Sequence, residues 1–200
     1  MIWIITSPER IYEEEKIIAD LLQAGAHRIL LRKPGWQPRE YMALLDKTDP
    51  ACYARIIVRD NFQVCQRFPV GGLHLSGKIR ESMNCRELQL CLQRYRNCST
   101  GIHDMADITS MAPQFTTLLL SPVFDSISKA GYSGRFAQSL PDKKGRQVLG
   151  MGGIDASNIS RLKDWHYDGA ALLGAIWQQP EQAVNNYQRI QAQWNSNDHP

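Results

Sequence analysis

Short runs of β-branched and leucine residues recur along the chain, and amphipathic stretches fill the intervals between them. Strands are expected near residues 2–6, 27–32, 54–59, 72–75, 98–102, 116–121, 146–151 and 169–173. The first helical stretch, Glu9 to Ala24, gathers Ile11, Ile17, Ile18, Leu21 and Leu22 on one face and leaves Glu13, Glu14, Glu15 and Lys16 largely on the other. Further helical patterns run near 38–48, 82–95, 155–165 and 175–194. Gly25 supplies a stop for the first helix, and Asp155 and Ser157 supply N-cap chemistry for the seventh.

Eight strands alternating with helices is the count of an α/β fold, a single compact (β/α)8 TIM barrel. The main competitor, a doubly wound open sheet, usually settles for about five to seven strands. At 200 residues the chain is short for such a barrel, but its 43% apolar content is enough for a core. One domain over residues 1–194 with a frayed tail at 195–200 is therefore expected. The net charge of +3 is mild and spread out, which argues against nucleic acid as a partner. Residues 1–6 are apolar but too short to span a bilayer, so no membrane association is expected. Cys52, Cys65, Cys85, Cys91 and Cys98 form no C-x-x-C pair and read as reduced thiols in a cytoplasmic protein.

In a barrel of this kind the chemistry lies where strands end. Arg32-Lys33 ends strand two, Arg59-Asp60-Asn61 ends strand three, and His103 follows strand five. Ser126, Ser128 and Lys129 follow strand six, and Gly152-Gly153 follows strand seven. A lone strand-end arginine is often only a surface ion-pair partner, and His74, inside an apolar strand, reads as a hydrogen-bonded core residue. Convergence of five such strand ends shifts the balance toward one anionic ligand. Glycines in Gly150-Met-Gly-Gly-Ile154 and Leu173-Gly-Ala-Ile176 let backbone N–H groups approach phosphate oxygens, in space that a Cβ at Gly153 would fill. The long connection from Asp125 to Arg146 is expected to carry a lid over residues 126–135, with Gly131 and Gly134 flanking its tip.

Gly71-Gly-Leu-His-Leu75, Ser121-Pro-Val-Phe-Asp-Ser-Ile-Ser-Lys129 and Gly150-Met-Gly-Gly-Ile154 resemble the signature blocks of thiamine phosphate synthases, in the same order and at similar spacing. Arg32 matches the arginine of the family's strand-two block, and the resemblance runs from about Ile4 to Ile176. It implies an enzyme that joins a hydroxymethylpyrimidine diphosphate to a thiazole phosphate, both small molecules, releasing diphosphate. It further implies that Arg32, Ser126, Ser128 and Lys129 contact phosphate oxygens, and that Asp60 is the first acidic ligand of Mg2+. Gly153, Leu173 and Gly174 would cradle the thiazole phosphate, beside Gly152.

The chain departs from that pattern in one direction. The family's strand-two lysine falls on Pro34, its asparagine before the metal-binding Asp falls on Arg59, and its second metal carboxylate falls near Lys78. The serine two residues before His103 is Gly101. The Mg2+ site is thus incomplete, and Arg59, Lys78 and Lys33 are expected to offset diphosphate charge directly. A TenI-type thiazole tautomerase using His103 as acid–base is the alternative, since moving a proton needs no diphosphate site. A non-catalytic binder of thiazole or thiamine phosphate is the third reading.

Overall fold

The computed structural model describes residues 1–125 and 133–196. Eight parallel strands close into a barrel in sequence order: β1 (Ile2–Ile5), β2 (Arg28–Leu31), β3 (Ile56–Arg59), β4 (Gly72–Leu75), β5 (Cys98–Ile102), β6 (Phe115–Leu120), β7 (Gln147–Met151) and β8 (Gly169–Leu172). The seam between β1 and β8 pairs Ile2 with Ala170 and Ile4 with Leu172. Strand alternation sorts the apolar residues into two shells. Trp3, Ile5, Leu30, Ile57, Leu119, Leu149 and Ala171 fill the barrel interior. Ile4, Ile29, Val58, Leu120 and Val148 face outward and pack under the helices.

The helices are shorter and more numerous than the periodicity suggests. They are α1 (Glu14–Gln23), α2 (Pro38–Lys47), α3 (Phe62–Arg67), α4 (Gly77–Ser82), α5 (Cys85–Arg94), α6 (Asp107–Ser110), α7 (Arg161–Asp164), α8 (Gly174–Trp177) and α9 (Ala183–Asn195). Helix α1 begins at Glu14 rather than Glu9 because Glu13 takes a left-handed conformation at its N-cap, φ 52°. Its end is as expected: Gly25, at φ +108°, lets the amides of Gly25 and Ala26 fold back onto the carbonyls of Leu22 and Leu21. The expected 82–95 helix is α5, starting at Cys85 because Asn84 with Glu87 forms its capping box, and a further short helix, α4, precedes it and ends at the extended Met83.

Three further expectations give way to local chemistry. Strand three starts at Ile56 rather than residue 54, since Asp49 caps a 3-10 turn over Pro50–Arg55. Asp155 accepts from the Ser157 amide and Asn158 accepts from the Asp155 amide, so this segment is a chain of turns and α7 starts only at Arg161. The expected 175–194 helix is interrupted at Pro180, which cannot donate to the ladder, and resumes as α9. The proposed lid lies partly outside the described residues, as do Ser126, Ser128, Lys129 and Gly131. Its described end is fastened: Gly134 N–H donates to the Asp125 carboxylate at 2.7 Å and Arg135 N–H to the Pro122 carbonyl at 2.9 Å. Among the described residues no helix is long and apolar enough to cross a membrane.

Candidate active site

The C-terminal ends of β2, β3 and β4 bring a set of cations over one buried imidazole. Arg32 follows Leu31, and Arg59 is the last residue of β3; by alternation each falls on the inward face shared by Leu30 and Ile57. Thr6, fully buried at the end of β1, grips the Arg32 backbone from both sides. Its hydroxyl donates to the Arg32 carbonyl at 3.0 Å and accepts from the Arg32 amide at 2.9 Å. Arg59 stands opposite His74 in the β3–β4 register. His74 is a core residue as expected, its Nδ1 lying 3.0 Å from Ser99 Oγ. Burial, and then the positive charges of Arg59, Arg32 and Arg80, push its pKa down to about 3. The imidazole is therefore neutral throughout the physiological range.

Arg80 is the residue that the sequence did not bring forward. It lies on α4, whose N-cap Ser76 accepts the Ile79 amide. Its guanidinium reaches across to the end of β5, donating from one nitrogen to Thr100 Oγ1 at 3.0 Å and the Gly101 carbonyl at 3.2 Å. Lys78, two residues earlier, is exposed. Sequence spacing pointed to Lys78 because it stands where a carboxylate was expected. Only the path of α4 carries Arg80 to the end of β5 instead. A Cβ at Gly101 would meet no atom within 4 Å, so the position beside Thr100 on β5 is open on that face.

Lys33, expected among the diphosphate cations, is not available to them. Its side chain is fully buried, 2.5 Å from the Glu14 carboxylate and 2.8 Å from the Glu9 carbonyl, and lies over the Trp36 ring. It joins the loop after β1 to the loop after β2. Burial pushes the Glu14 carboxyl up and the Lys33 ammonium down, while their mutual hydrogen bond pulls each back. Asn61 is likewise structural, its side chain capping α3 through the Val64 amide.

Asp60 fits a Mg2+ ligand poorly. One carboxylate oxygen accepts the Ser76 amide at 2.8 Å, and the other accepts from Arg59 Nε at 3.2 Å. Its backbone is left-handed, φ 53°, and its N–H donates to the His74 carbonyl, so the residue ties the β3 and β4 loops together. Among the described residues no three His, Cys, Asp or Glu side chains converge as a ligand set. A dication needs several oxygen ligands, and this carboxylate is already paired with the Arg59 guanidinium, whose positive charge would repel the ion. The described residues do not fit the metal.

On the other side of the mouth, the loops after β7 and β8 are held by their carbonyls. The Gly152 carbonyl accepts the Phe124 amide at 3.1 Å, and the Gly153 carbonyl accepts from the Asn158 side chain at 2.8 Å. Because a trans peptide sets N–H opposite C=O, the amides of Gly153 and Ile154 face the other way. A Cβ at Gly153 would lie 2.1 Å from the Asp125 carbonyl oxygen, at a backbone φ of +66°. Its first requirement for glycine is thus close packing of two loops, which corrects the expectation that phosphate takes the Cβ space. Leu173 is the N-cap of α8 and Gly174 its first residue. His103 is exposed after β5, with Nδ1 2.9 Å from the Ser121 carbonyl and 3.3 Å from Ser121 Oγ. The carbonyl can only accept, so Nδ1 carries a proton and donates it there.

Residues 2–176 match the family described as Thiamine monophosphate synthase. A thiamine-phosphate synthase of Bacteroides fragilis is 28% identical over 173 residues, covering 80% of this chain and 83% of the relative. One from Laribacter hongkongensis is 25% identical over 167 residues, covering 78% and 75%. Among solved structures, a thiamine phosphate pyrophosphorylase from Bacteroides thetaiotaomicron superposes with a TM-score of 0.77 at 20% identity, covering 99% of both chains. Its counterpart from Pyrococcus furiosus gives 0.75 at 18%, covering 96% of this chain and 94% of that one. At those identities the structural likeness speaks for the fold.

Proposed function

From the premise that the chain belongs to the thiamine monophosphate synthase family, we propose that it is a transferase coupling hydroxymethylpyrimidine diphosphate to a thiazole phosphate. The products are thiamine phosphate and diphosphate. The observation that carries this reading is the convergence of Arg32, Arg59 and Arg80 on one neutral imidazole at the mouth of the barrel. Heterolysis of the carbon–oxygen bond sends its electron pair to diphosphate oxygen and leaves a pyrimidine-methyl cation. The thiazole nitrogen then donates its lone pair to that carbon. What the protein supplies is fixed positive charge aimed at the leaving group, in a partly buried site where such charge is screened less than in water. Gly152, Gly153, Leu173 and Gly174 would position the thiazole phosphate through backbone N–H groups, holding its ring in line with the reacting carbon.

A second reading has one specific observation in its favour. His103 is oriented by Ser121 through Nδ1, and no hydrogen bond to its Nε2 is made among the described residues, the arrangement a proton-shuttling tautomerase needs. Both readings are tested by incubating the purified protein with the two coupling substrates, and separately with the thiazole tautomer, with mass analysis of the products. Thiamine phosphate should form, and His103→Ala should keep coupling to within about tenfold, because charge stabilisation and not proton transfer carries that step. No coupling, with a tautomerase activity that falls roughly 10²- to 10⁴-fold in His103→Ala, would replace the first reading by the second.

A further inference from the structure

Resting on that synthase reading, we propose that Arg80 joins Arg32 and Arg59 to hold the leaving diphosphate by guanidinium contacts alone, in place of a carboxylate-held dication. The chain has rebuilt the site around charge that it carries itself. Asp60, the one carboxylate at this end of β3, is engaged by the Ser76 amide and by Arg59. The position expected to carry a second carboxylate holds the exposed Lys78. Arg80 is instead only 13% exposed at its side chain, and it is steered by Thr100 and Gly101. Thr100 is itself fixed, since its hydroxyl donates to the Leu75 carbonyl at 2.7 Å.

The far edge of the Arg80 guanidinium meets, among the described residues, the Glu81 carboxylate at 3.1 Å, and Glu81 is 72% exposed. An adjacent, solvated pair of this sort is worth little and gives way to a multiply charged anion. Three guanidinium groups stand against the Asp60 carboxylate and the solvated Glu81, and burial, then the charge of Arg59, disfavours the charge on Arg32. The fold therefore carries like-charge repulsion that a bound diphosphate relieves. Guanidinium suits this role because its planar donors meet phosphate oxygens in pairs. When the carbon–oxygen bond breaks, the new negative charge on diphosphate oxygen is met by donors already in place.

The test is calorimetric titration of the full chain with inorganic diphosphate at fixed ionic strength, once in EDTA and once in Mg2+. Binding in EDTA should be within about threefold of that in Mg2+. Arg80→Gln should weaken it by about 10- to 100-fold, the range of a lost charge-assisted contact, and Lys78→Gln by less than about threefold. Arg80→Lys, which keeps the charge and loses the fork, should fall between wild type and Arg80→Gln. A urea midpoint for each variant separates loss of binding from loss of fold. Binding that requires Mg2+, or a folded Arg80→Gln that binds unchanged, overturns the proposal. Coupling run in parallel keeps the two readings apart. Coupling abolished by EDTA overturns the metal-free site and leaves the synthase standing. Metal-free diphosphate binding by a protein that makes no thiamine phosphate supports the site and removes the synthase.

Discussion

Replacing Lys33 by Met should cost more stability than replacing any exposed cation, although Lys33 looks in sequence like one more strand-end charge. Met keeps much of the stem volume and removes the ammonium, so packing against Trp36 largely survives. What is lost is the partner of a carboxylate that is 3% exposed and whose other oxygen, Oε1, already lacks a hydrogen bond among the described residues. Removing one member of a buried pair costs about 3–5 kcal/mol, because the survivor stays buried without compensation. Glu14→Leu should cost a similar amount by stranding the ammonium. The double variant Lys33→Met/Glu14→Leu should be more stable than either single one, since a buried pair exchanged for apolar groups is often near neutral. Urea denaturation of the four proteins closes the cycle, with the m-value watched for a change of unfolded state. Singles that each lose less than about 1 kcal/mol and add in the double would refute the buried-pair account.

Gly153→Ala should lose roughly 2–4 kcal/mol, from a left-handed backbone plus a Cβ driven against the Asp125 carbonyl, which no side-chain rotation relieves. A thermal midpoint unchanged from wild type would show that the two loops move apart freely. His74 should make stability pH-dependent. Its folded pKa is depressed, so its contribution is whole above the unfolded value of about 6.5 and is lost as pH falls from there toward about 3. Between pH 7 and pH 5 the wild type should lose about 2 kcal/mol that His74→Gln does not, measured by urea denaturation at both pH values. Equal pH dependence in the two proteins would mean that His74 is not held neutral.

Strand count, order and the placement of polar groups at strand ends were legible in the sequence, because each depends on a period of two along a few residues and on the turn residues that bound them. Arg32, Arg59, His103 and the glycines after β7 and β8 could be placed at the mouth for the same reason. Helix extents were not legible where a side chain competed for the backbone, as Asp155, Asn158 and Asn84 do, or where Glu13 adopted a left-handed conformation. The fate of individual charges was settled only by tertiary structure. Arg32 and Lys33 are neighbours in sequence, yet one opens on the mouth and the other is sealed against Glu14, since successive residues at a strand end turn to opposite sides. Arg80 and Lys78 are equally cationic and two apart on a short helix, and only its direction from Ser76 across to Thr100 and Gly101 decides which one reaches the site. Residue type sets the charge a chain can offer; which charges meet, and which are buried in pairs, depends on contacts between elements far apart in sequence, and no local period encodes those.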